Sequence, residues 1–130
     1  MKSIFIVLIT LLSFTSLFAQ NCDCSKFRTG SFEIANQDGT VSKIKRTETK
    51  QTETNENVKL KDKVVWVDNC TYKLIPISIQ DKTQTVGPDI LVFTFIETME
   101  HAYIVHVLIE GKDFEIDAKV YEKGYLNYDK

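Results

Sequence analysis

The run Val58–Val67 leaves the chain few ways to fold. Val58, Leu60, Val64 and Trp66 alternate with Lys59, Lys61 and Lys63. Side chains on a strand point to opposite faces at period two, so this spacing builds a strand with one apolar face and one charged face. A helix would scatter the same residues off a 3.6-residue stripe, and Val64, Val65 and Val67 are β-branched. Asp62 interrupts the apolar face. That predicts a bulge or an open barrel end beside it.

The same pattern extends in both directions. Phe27–Ala35 reads as a first strand with Gly30, Phe32 and Ile34 on one face, closed by the turn Asn36-Gln37-Asp38-Gly39. Thr40–Thr47 pairs back as a second strand. Thr49–Asn55 is polar and reads as a third strand with both faces wet, or as an exposed edge. Cys70–Ile79 follows the turn Asp68-Asn69, and Pro76 marks an edge or bend because it has no amide hydrogen to donate. Gln80–Asp89 is turn-like, with a break at Gly87-Pro88. Ile90–Thr98 and Ala102–Glu110 are apolar on both faces and predict central strands. Phe114–Tyr121 alternates again, with Phe114, Ile116, Ala118 and Val120 inward. The tail from Gly124 is a last short strand or a frayed end. The expected fold is all-β: an antiparallel meander of seven to eight strands forming a barrel or half-barrel.

The beginning of the chain fixes an address. Met1-Lys2 and the apolar run to Ala19 form an export signal, with cleavage after Ala19 or Gln20. The expected organisation is a signal peptide at 1–20, a cysteine-bearing lead-in at 21–26 and one β domain at 27–130. No stretch downstream of the signal is long and apolar enough to span a bilayer as a helix. The processed chain carries 15 basic and 18 acidic residues, a net charge of −3. That balance gives no basic footprint for nucleic acid. An exported chain meets oxidising conditions, so its three cysteines predict a disulfide and one leftover thiol. Cys24–Cys70 is the preferred pair, with Cys22 as the alternative partner. In the loop-entropy model such a bond contributes on the order of 4 kcal/mol. Ala19 and Asn21 around Cys22 do not meet the bacterial lipoprotein pattern, so the expected location is periplasmic or extracellular without a lipid anchor.

No catalytic constellation emerges. His101 and His106 are five apart and fall on opposite faces of a regular strand, against a zinc site. A Cys70–His106 nucleophile pair needs a free thiolate, which a disulfide removes. No Gly-x-Ser-x-Gly elbow is present. The residues give no reason to expect a cofactor or a metal. Seven cations between Lys43 and Lys63 alternate with acids and read as a solvated sheet face.

The segments Cys24–Phe32, Ile44-Lys45-Arg46, Gln51-Thr52-Glu53 and Val64–Leu74 (with Trp66, Cys70 and Tyr72) resemble a group of small exported proteins of Bacteroidetes-type bacteria. Some of these carry a topoisomerase label, which a short exported chain without a nucleotide or cleavage motif does not support. Gly30-Ser31-Phe32 is also similar to the Gly-x-Trp of the first strand of lipocalin-type barrels, with Phe in place of Trp. Two functions follow as expectations. One is a barrel that binds an apolar small molecule or lipid, lined by Trp66, Phe32, Phe93, Phe95 and Tyr103. The other is an envelope interaction or structural protein with a filled core, binding a protein partner through the strand Thr47–Asn55 as a free edge.

Overall fold

The computed structural model describes residues 23–56, 58–80 and 87–129. The signal segment 1–20, Cys22 and most of the Gln80–Asp89 connection lie outside the described residues. Eight antiparallel strands close a barrel in sequence order: β1 (Gly30–Ala35), β2 (Val41–Arg46), β3 (Lys50–Asn55), β4 (Val58–Asp68), β5 (Thr71–Gln80), β6 (Leu91–Thr98), β7 (Ala102–Ile109) and β8 (Glu115–Glu122). The all-β meander expected from the alternation is the fold. Closure removes most of the free edge an open sheet would expose.

A meander sends alternate turns to alternate ends of the barrel. The turns after β2, β4 and β6 lie at one end, together with a 3-10 turn, Cys24–Phe27, that precedes β1. This end is closed. Phe27 and Cys24 of the 3-10 turn are buried, and Cys24 is bonded to Cys70 in the β4–β5 turn (Cα–Cα 5.4 Å). Asp68 shapes that turn by accepting the Cys70 amide at 2.8 Å. The segment Cys24–Phe27 is therefore a plug, and the first strand starts at Gly30 rather than Phe27. Gly30 has φ +139°, and a Cβ there would lie 3.2 Å from the Phe32 ring, so the plug-to-strand corner is built for glycine.

The other end is the mouth. Two seams loosen there. β5 pairs with β6 only over Thr71–Leu74, leaving the half of β5 that contains Pro76 without a β6 partner among the described residues. β1 meets β8 only at Phe32–Glu122 and Glu33–Tyr121. The β4–β5 register also shifts between Lys61 and Asp62, the bulge that the interrupted apolar face predicts.

Three expectations need correction. The third strand is neither an edge nor wet on both faces: β3 pairs with β2 and with β4, and Gln51 is buried. The whole barrel closes around it, so polarity marks an interior polar site instead of an edge. Phe114 and Ile116 do not enter the core; they are 44% and 49% exposed. They precede the short stretch where β8 reaches β1, so β8 is paired there with β7 alone, Ile116 lying opposite Val107. The tail forms a second 3-10 turn, Leu126–Asp129, rather than a strand.

Candidate functional site

The interior divides into a solid layer and a hollow one. At the closed end Phe27, Phe32, Phe95, Tyr103 and Tyr72 are all buried. Phe95 stacks on Tyr103 with centroids 4.5 Å apart, and Phe32 meets the Tyr103 ring edge-on at 5.6 Å. Trp66 packs on Tyr72 at 4.8 Å, and the Arg28 guanidinium lies 4.0 Å above its ring. Glu48 holds Arg28 in place at 2.8 Å. Such rings are worth about 0.5–1.5 kcal/mol per well-placed pair beyond the area they bury.

Arg46 sits at the centre of this layer, 3% exposed. Every one of its N–H groups is used. Nε donates to the Arg28 carbonyl at 3.0 Å. Nη1 donates to Gln51 Oε1 and to the Tyr72 hydroxyl, both at 3.0 Å. Nη2 donates to the Phe27 carbonyl and to the Tyr103 hydroxyl, both at 2.7 Å. The guanidinium thus ties the plug to β3, β5 and β7. Burial works against its charge, but the Tyr72 and Tyr103 oxygens outweigh it and raise its pKa. Burial pushes both phenols upward, Tyr72 well above the ordinary value, so they stay neutral. A buried charge without a carboxylate partner is tolerable only because all five hydrogens are bonded.

Above this layer a cavity of about 260 Å3 opens toward the mouth. Arg46, Gln51, Tyr72 and Tyr103 form its floor. Its walls are mainly aliphatic, including Ile34, Ile44, Leu60, Leu74 and Leu91, with Phe93 stacked on Tyr72 at 4.9 Å. Three acids interrupt the apolar lining: Glu53 of β3, Asp62 of β4 and, at the mouth, Asp89. Burial, then the neighbouring Asp62, raises the Glu53 pKa; burial raises that of Asp62. A concave apolar space with a few convergent polar groups is the common form of a small-molecule site, although 260 Å3 is just below the usual range of about 300–1,000 Å3.

Of the five aromatic residues expected to line a pocket, Phe93 and Tyr103 do. Phe32, Phe95 and Trp66 belong to the aromatic cluster at the closed end. Cys24 and Cys70 form the bond at that same end, and the alternative partner Cys22 lies outside the described residues. The histidines stay outside the site: His101 stacks on Tyr125, and His106 meets Asp117 at 2.7 Å on the outer face of β7 and β8. Arg46, Gln51, Glu53 and Asp62 were missed as site residues. Their signal is parity: with Ile44 inward, Arg46 is inward and Lys43 and Lys45 are outward.

No family model, curated protein or solved structure matches the chain.

Proposed function

We propose that this is an exported binding module that holds a small, mainly apolar molecule or lipid in the barrel. The observation carrying the reading is the 260 Å3 cavity above a filled aromatic floor, lined by aliphatic side chains and reached from the mouth. A barrel built only as a scaffold fills its interior with side chains, as the closed end does. The disulfide is in keeping with an oxidising, extracytoplasmic setting. Export to the periplasm or beyond rests on the signal at 1–20, and the lipocalin-like Gly30-Ser31-Phe32 favours the same reading.

The structural alternative loses its original edge, because β3 is paired on both sides. It survives at the half of β5 beyond Leu74, where Ile77 is exposed and no strand pairs on the β6 side among the described residues. The test is titration of the processed protein with octanol, read by Trp66 emission and by calorimetry. Trp66 contacts Tyr72, which forms part of the cavity floor, so occupancy alters its surroundings. Saturable binding that Leu91→Trp abolishes, with the barrel's circular dichroism retained, supports the reading. Absence of binding, or binding that Leu91→Trp leaves intact, overturns it.

A further inference from the structure

Three of the side chains lining the cavity are acids, and Arg46 is the single lysine or arginine among them. Their partners differ. Asp89, at the mouth, is paired with Lys112 at 3.0 Å. Arg46 has given all five of its hydrogens to neutral oxygens of the protein, so it has none left for an incoming carboxylate. The carboxylates of Glu53 and Asp62 have neither a hydrogen bond nor an ion pair among the described residues. Gln51 is 4% exposed; its carbonyl oxygen serves Arg46, and its amide nitrogen has no acceptor among the described residues. Among the described residues, the unfilled polar capacity of the cavity therefore includes two carboxylates and one amide.

The register brings these groups together. Gln51 is paired with Asp62 and Glu53 with Leu60, so Glu53 and Asp62 are diagonal neighbours on adjacent strands with their side chains on the inner face. Diagonal positions on a sheet are about 7–8 Å apart, close enough for one group to reach both. Resting on the binding reading above, we infer that the cavity selects an amphiphile whose head is a protonated amine, held between Glu53 and Asp62 with its apolar part against the aliphatic wall. An ammonium carries three hydrogens and no acceptor, which matches two carboxylates lacking donors. Burial and mutual repulsion disfavour charge on Glu53 in the empty barrel. A cation between the two acids reverses that penalty. The Gln51 amide remains available to a neutral oxygen on the same ligand.

The experiment compares octylamine, octanol and octanoate by calorimetry at neutral pH, on the protein with its disulfide intact. The expected order is amine tighter than alcohol by about tenfold, the ~1.4 kcal/mol of one charge-assisted hydrogen bond, with octanoate weakest. In Glu53→Gln/Asp62→Asn the advantage of the amine over the alcohol, both measured on that same variant, falls to within about twofold. Glu53→Gln alone, which removes a disfavoured buried charge, keeps a folded single variant in the comparison. If octanol binds and octylamine binds no better, the amine inference fails and the apolar-cavity reading stands. If octanoate binds tightest, the floor around Arg46 and Gln51 selects the head group and the inference is overturned. If none of the three binds, both the inference and the reading beneath it fall.

Discussion

The two ends of the barrel are made from the same strands and obey opposite rules. β4 carries Trp66 into the closed end and Asp62 into the cavity near the mouth, four residues apart on the same face. At the closed end rings fill the space, a disulfide pins the plug, and a buried guanidinium has every hydrogen bonded. Toward the mouth a cavity remains and, among the described residues, two carboxylates lack partners and the β5–β6 and β1–β8 seams open. The contrast separates tasks. Stability concentrates around the fully bonded guanidinium, although Trp66 Nε1 in the same layer is buried without a partner among the described residues, and binding capacity is left where the carboxylates line the cavity.

The strongest way to break that division is to cut the disulfide. Replacing Cys24 and Cys70 together by alanine is expected to cost on the order of 4 kcal/mol in the loop-entropy model, read from the urea midpoint. Octanol affinity should survive below the new transition, because the bond lies at the far end from the mouth. A loss of affinity in the still-folded variant would show that the ends are coupled.

Arg46→Met comes next. It orphans two plug carbonyls and strips donors from Gln51, Tyr72 and Tyr103, with an expected cost of about 3 kcal/mol. A variant of wild-type stability would mean that the plug does not depend on the guanidinium.

Glu53→Gln should act in the opposite direction and stabilise the protein at neutral pH by about 1 kcal/mol, since it removes a carboxylate that burial disfavours. The sign also shows in pH. Between the usual carboxylate pKa and the raised folded one, the folded state holds the extra proton, so stability rises as pH falls through that window. Urea midpoints across the window should be flatter in Glu53→Gln. An unchanged slope would place the titration on another group.

The smallest effect belongs to the outer wall. Asp117 accepts from His106 and raises its pKa, with Glu115 adding to the effect. The pair's contribution is complete below the unfolded histidine pKa and is lost as pH rises through the folded one. Asp117→Asn should lower the His106 pKa in an NMR titration while leaving octanol affinity untouched, because both residues face away from the cavity.

Much of this was legible before the fold. Alternation in Val58–Trp66 and in Phe32–Ile34 set faces, Asp62 forecast the bulge, and the polar turn at Asp68-Asn69 placed Cys70 where Cys24 reaches it. Phe27 was legible only as a strand residue, because nothing local distinguishes an apolar strand start from a plug. Gln51 and Glu53 looked like a wet strand, because polar residues facing an interior read the same as polar residues facing water.

The amino-acid order by itself determined the all-β meander, the faces of its clearly alternating strands and a preferred cross-link, but not the faces of Phe114 and Ile116. Only the tertiary structure decided depth along the barrel axis: that Phe32, Phe95 and Trp66 pack into the closed end while Phe93 lines the cavity, and that Arg46 is saturated while Glu53 and Asp62 have no partner among the described residues. Parity is a local consequence of the pleat, repeated every two residues. Depth depends on how eight strands stagger as they close and on which distant carbonyls and hydroxyls that stagger brings within hydrogen-bond reach.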